Sequence, residues 1–320
     1  MVEKGISLVH KLKAYDIVII SFYGFLTGLN IIYNEFIPNW DYFVLINVWI
    51  IVFTFILAYA EVHSKSKVWQ YIHWWYVAPL IMITFKEIYF LVKPIRQQDY
   101  DYVFIAIDRF IFLGQDPTHM IYVLANPILT EILQIVYGIF YLLPLILLLV
   151  LLKNRRYRAV DYAVFSVIYG FYLSYLGYFA LPGIGPRFTL HDFESLSEEL
   201  PGLLLTEPLR DFTNLGESIP TGTPNPAELV QRDIFPSGHT MITLIVMYLS
   251  FKLRSRSRYF LIPVGSLLIF STVYLRYHYF IDLVGGAAFA AFSLWSGKYI
   301  YNWWQRTSGK QEFDYQNSYD

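Results

Sequence analysis

Long apolar runs, broken by short polar loops, dominate the chain. Eight stretches come near or beyond the roughly 20 apolar residues that a membrane-spanning helix needs: residues 15–33, 42–62, 71–92, 129–152, 160–181, 240–253, 259–275 and 279–300. The sixth is short unless it begins at Pro236. Gly and Pro inside these runs are compatible with helices in lipid, where neighbouring groups satisfy the freed backbone. Residues 99–126 differ, mixing charges with Ile105-Ala-Ile-Asp108-Arg109-Phe-Ile-Phe-Leu113. That pattern suits an amphipathic helix in the membrane interface or a re-entrant turn. Residues 182–235, rich in Pro, Gly and acidic side chains, form a loop too long to be a plain connection. The pattern predicts an all-α polytopic membrane bundle of about eight transmembrane helices.

Charge placement agrees with this count. Lys and Arg gather at Lys4, Lys11 and Lys13, at Lys65 and Lys67, at 153–158, at 252–258, and at Lys298, Arg306 and Lys310. These are alternate loops, and basic loops face the cytoplasm, so both termini are expected there. The first residues, 1–14, read as a cytoplasmic amphipathic start with no signal-peptide cleavage site. The chain is 56% hydrophobic and 15% charged, and its mean hydropathy is positive, which disfavours a large soluble protein with buried helices. A net charge of −1 with no basic stripe gives no sign of nucleic-acid binding. There are no cysteines, which excludes disulfides and thiolate metal sites.

Three polar clusters stand where apolar helices begin or end: Leu181-Pro-Gly-Ile-Gly-Pro-Arg187, Phe235-Pro-Ser237-Gly238-His239, and Leu275-Arg276-Tyr-His278-Tyr-Phe-Ile-Asp282. The loop count puts all three on the non-cytoplasmic face. Together they supply two His, two Arg, one Asp and one Ser, which reads as a site rather than as scattered helix ends. A helix starting at Ser237 offers free N–H groups to an anion, and Gly238 lets backbone approach it. Arg187 and Arg276 suit phosphate oxygens. His278 and Asp282 are four apart, so on a helix the carboxylate orients the imidazole as nucleophile or base. His239 is then left to protonate a leaving oxygen.

These residues resemble the type 2 phosphatidic acid phosphatase superfamily. Pro236-Ser237-Gly238-His239 matches its second motif outright. Ser271, His278 and Asp282 match the third, with Thr272 where the family has Arg. Arg187 matches the first, with Ala180 in place of its Lys and Phe188 in place of its Pro. Gly185-Pro186-Arg187, Arg276-Tyr277-His278 and the upstream Asp108-Arg109, Gly114 and Asp116-Pro117 look more like the branch of inositol phosphorylceramide synthases and their prokaryotic relatives. The resemblance implies a six-helix core. It divides the chain into 1–66, with two additional helices, 67–304, the core with its loop 182–235, and a cytoplasmic tail at 305–320. It also implies a metal-free and cofactor-free reaction on a membrane lipid phosphate, with His278 as nucleophile, Asp282 orienting it and His239 as general acid.

Other readings stand beside these. Either Arg can anchor a helix end to lipid headgroups, and Ser237 can serve only as a cap. Lys86 can replace the missing first-motif Lys as a phosphate ligand, or pair structurally with Glu87 or an Asp. Asp108 and Asp116 read as structural. His63, His73, His119 and His191 have no evident partners in the sequence. Two His and a carboxylate can bind zinc, but two nearby Arg favour an anion. The acceptor, water or a lipid or polyol alcohol, decides between hydrolysis and phosphotransfer. A non-catalytic transporter or scaffold on the same fold is the alternative of another class.

Overall fold

A computed structural model describes residues 8–64, 66–316 and 318; Lys4 and Lys65 of the basic pattern, and the first half of the expected amphipathic start, lie outside them. All regular structure among the described residues is helical. The principal helices are α1 (Ala14–Ile32), α2 (Trp40–His63), α3 (Val68–Ile95, in two segments), α4 (Asp101–Ile111), α5 (Pro127–Gly138), α6 (Leu142–Lys153), α7 (Tyr157–Ala180), α8 (Thr206–Gly216), α9 (Gly238–Lys252), α10 (Arg258–Tyr274) and α11 (Phe280–Thr307).

Every one of the eight apolar stretches is helical, but fewer than eight are full spans. Helices α1, α2, α3, α7 and α11 are long and apolar enough to cross a membrane, and α5 with α6, bent by 58°, forms either a broken sixth span or a re-entrant loop. Helices α9 and α10 have 15 and 17 residues. At 1.5 Å per residue they reach about 22 and 26 Å, short of a hydrocarbon core of about 30 Å. The polar clusters are the reason. Helix α9 begins only after Ser237, and α10 stops before Arg276, which adopts φ 63°. Apolar side chains cover the exterior: α2 exposes Leu45, Val48, Trp49, Val52, Phe53 and Ile56. An apolar surface of this kind needs lipid around it.

The chain packs as two units. One comprises Met1–Ile95, Leu148–Tyr172 and Phe292–Asp320; the other comprises Arg96–Leu147 and Leu173–Ala291. In the first, α1 packs on α2 and α2 on the first turns of α3. His73 there has partners that the sequence did not reveal: Nε2 lies 2.9 Å from Asp16 and Nδ1 2.5 Å from Glu61. Lys13, partly buried, joins Glu61 to Asp161, so the charges around the buried Asp16 and His73 are paired. Glu87 accepts from Asn30 and Asn47, each at 2.8 Å.

In the second unit, α10 packs against α5 and α9, and α8 lies along α5. Its core joins Leu133 and Tyr137 of α5 to Tyr274, Leu275 and Tyr277. Helix α11 approaches the start of α9 so closely that a Cβ on Gly286 would stand 2.7 Å from the Ser237 carbonyl oxygen and 3.0 Å from Thr240 Cβ. Backbone cannot yield as a side-chain tip can, so overpacking costs about 1–3 kcal/mol. Gly24, inside α1, has open space around it. Gly286→Ala is expected to lower the thermal unfolding midpoint in detergent, and Gly24→Ala to leave it unchanged or raise it by the equivalent of up to about 1 kcal/mol.

Candidate active site

Two broken helix ends meet at the second and third polar clusters. Ser237 caps α9, its Oγ accepting from Thr240 N at 3.2 Å. Its own N–H donates to the Asp282 carbonyl at 3.0 Å. Asp282 sits in the first turn of α11, and its Oδ2 accepts from Tyr279 N at 2.8 Å. His278 lies just before α11 rather than on it, so the four-residue spacing works across the helix start. Its Nδ1 stands 3.4 Å from Asp282 Oδ2. That is longer than an aligned hydrogen bond, and His278 Nδ1 and Asp282 Oδ1 are both buried without a hydrogen-bond partner. Burial, and then the neighbouring His239, push the His278 imidazole well below its ordinary pKa, which favours the neutral form.

His239, in the first turn of α9, is held by rings. It stacks on Tyr137 at 4.5 Å and packs on Phe140 at 4.2 Å, and its centroid lies 5.8 Å from that of His278. Nothing in the residue pattern marks Tyr137 and Phe140, because both read as ordinary residues of an apolar stretch.

Both arginines are buried and already hold carboxylates from the 182–235 segment. Arg187 donates to Asn214 Oδ1 at 2.8 Å and to Glu217, with its guanidinium 4.9 Å from the Tyr277 ring centroid. Arg276 donates to Glu199 and lies 5.7 Å from the Tyr122 centroid. A cavity of about 460 Å³ borders Arg187, Arg210, Asn214, Leu275 and Tyr277. The Tyr277 ring stacks on Tyr137 at 4.3 Å, and Tyr137 in turn carries His239. An aromatic row thus links the Arg187 cavity to the histidines, which do not themselves line it. The structure brings Arg187, Ser237, Gly238, His239, Arg276, His278 and Asp282 into one unit, while Lys86, on α3, belongs to the other.

Two acids on α4 hold this arrangement in place. Asp101 accepts from Ile184 N at 3.0 Å, Gly185 N at 2.8 Å and the Tyr279 hydroxyl at 2.8 Å. Asp108 accepts from Phe280 N at 2.8 Å and Ile281 N at 2.9 Å, capping α11. The first-cluster loop and the third-cluster helix start therefore hang from one helix. Asp108 thus has the structural role expected of it. The sequence motifs do not single out Asp101, although its seven-residue spacing from Asp108 puts both on one helix face.

A family model described as the PAP2 superfamily matches residues 103–296, more than half of the chain. No curated protein and no solved structure matches it.

Gly238 is closely packed: a Cβ there would stand 2.5 Å from the Tyr178 hydroxyl oxygen, with the next Tyr178 atom 3.9 Å away. Gly238→Ala is expected to destabilise by about 1–3 kcal/mol, and adding Tyr178→Phe should restore the unfolding midpoint. If activity returns with it, the glycine serves packing. If the fold recovers and activity does not, the glycine serves close approach of an anion.

Proposed function

The chain belongs to the PAP2 superfamily, and from that premise we propose an integral-membrane phosphoesterase that acts on lipid phosphates or lipid phosphodiesters through a phosphohistidine on His278. Superfamily membership supports a phosphatase-type phosphoesterase. The observation that carries the finer reading is the pair of histidine rings 5.8 Å apart at two capped helix starts, with Asp282 beside one of them.

In this scheme the His278 Nε2 lone pair attacks phosphorus and the bond from phosphorus to the lipid oxygen breaks. Asp282 holds the Nδ1 proton as charge grows on the ring. His239, entering protonated, gives its proton to the departing oxygen. Water then attacks phosphorus, the P–N bond breaks, and His239 recovers a proton from that water. Arg187, Arg276 and the N–H groups after Ser237 hold the phosphoryl oxygens. Glu217 and Glu199 hold the two guanidinium groups, and phosphate replaces them in this scheme. No step is assigned to Lys86. Lys and Arg placement supports cytoplasmic termini and a site on the opposite face.

Transfer to a lipid or polyol alcohol is the second reading. The cavity beside Arg187 favours it, since Ser197, Thr221, Thr223 and Asn214 offer an acceptor hydroxyl-bearing head several hydrogen-bond partners. The Gly185-Pro186-Arg187 and Arg276-Tyr277-His278 patterns favour the corresponding branch.

Phosphate release from a panel of lipid phosphates and diphosphates, with chelator present, tests the proposal. Wild type is expected to release phosphate and His278→Ala to lose at least about 10³-fold, as removal of a covalent nucleophile does. Loss of wild-type activity to the chelator would instead favour a metal-dependent hydrolase. No release from any lipid, together with head-group exchange onto an added alcohol, would favour transfer. Inactivity in both assays would leave a transporter or scaffold on this fold.

A further inference from the structure

Helix α8 lies within the 182–235 segment, yet it is built like a membrane-surface helix. Leu205, Pro208, Leu209, Phe212 and Leu215 fall on one side when wound at 3.6 residues per turn, and Thr206, Glu207, Arg210, Asp211 and Asn214 fall on the other. The polar side has an occupation: Glu207, Arg210, Asp211 and Asn214 line the Arg187 cavity. Most of the apolar side has none. Phe212 is 66% exposed and Leu215 60%, and the turn leading into the helix exposes Leu203 at 60% and Leu204 at 84%.

What covers that face follows from where α8 is fixed. Glu131, on α5, accepts from the backbone N–H groups of Leu203, Leu204, Leu205 and Thr206 at 2.6–3.2 Å and from the Thr206 hydroxyl at 2.6 Å. One carboxylate thus satisfies the free donors at the start of α8. Leu209 lies against Gly138, at the far end of α5. The contact runs from Glu131 to Gly138, about 10 Å at 1.5 Å per residue, along a helix that forms half of a bent candidate span. Helix α5 itself exposes Ile128 and Ile132. Wherever α5 meets acyl chains, the outer side of α8 stands beside it.

We propose that α8 is inserted in the bilayer, its apolar face on lipid acyl chains and its polar face forming a wall of the Arg187 cavity. A single helix then separates Arg187 from lipid. Combined with the function proposed above, on which this last step alone rests, the cavity's ligand is an anionic amphiphile that reaches Arg187 past α8 from the bilayer.

The chain has no cysteine, so single substitutions take a nitroxide label cleanly. Leu204→Cys, Phe212→Cys and Leu215→Cys alter exposed side chains, and Glu198→Cys supplies an aqueous reference within the same segment. In phosphatidylcholine vesicles, oxygen is expected to relax the labels at 204, 212 and 215 more than a water-soluble nickel chelate does. The order should be reversed at 198. Nickel access at 212 and 215 equal to that at 198 would overturn the proposal, and so would low access to both reagents, the mark of a protein contact. The labels are read without turnover, so an inactive or differently acting protein leaves the result interpretable.

Discussion

The hydrogen bond from Ser237 N to the Asp282 carbonyl joins the starts of α9 and α11. It answers a constraint that governs the whole unit. Backbone groups freed where a helix breaks in apolar surroundings must find partners within the protein. Side chains meet that demand repeatedly: Ser237 for α9, Asp282 and Asp108 for α11, Asp101 for the loop that carries Arg187, and Glu131 for α8. Helices α9 and α10 are short because their ends are spent on this polar junction. The candidate site lies where apolar helices are interrupted, and the acids on α4 satisfy backbone donors at two of those interruptions.

Electrostatics follows from the same geometry. Two buried guanidinium groups need anions, and a buried charge left alone is strongly unfavourable. Glu217 and Glu199 supply those anions from the segment between the first and second clusters. A phosphoryl group offers the same guanidinium groups more acceptor oxygens and more charge. Under the proposed function, binding it in place of the carboxylates loosens the segment that supplied them and couples occupancy of the site to the arrangement around the cavity. The aromatic row from Tyr277 through Tyr137 to His239 gives that cavity a rigid boundary next to the histidines.

Much of this was legible in the sequence, and for physical reasons. Apolar length fixed the helices, and polar residues at their ends marked the three clusters, because charge within apolar runs is costly unless it has a task. The number of full-length spans was not legible, since stretches 240–253 and 259–275 count as spans by apolarity and loop charge, while the helices they form have only 15 and 17 residues. Nor were the arginine partners: the 182–235 segment has many acids, and sequence does not say which two fold back. His73 belongs to the same class, its partners Asp16 and Glu61 coming from other helices. Asp101 and Asp108 are the instructive case, because their shared face was present in the spacing while their targets lay more than 70 residues away.

The proposed mechanism places the phosphoryl group on His278, and trapping that intermediate is the most direct measurement. A lipid phosphate labelled in its phosphoryl group would be mixed with the protein and quenched at successive times. Acid-labile, base-stable label is expected on wild type, localised to His278 by peptide mass spectrometry and absent from His278→Gln. Turnover by wild type with no label on the protein at any quench time, or label and turnover surviving in His278→Gln, would contradict it.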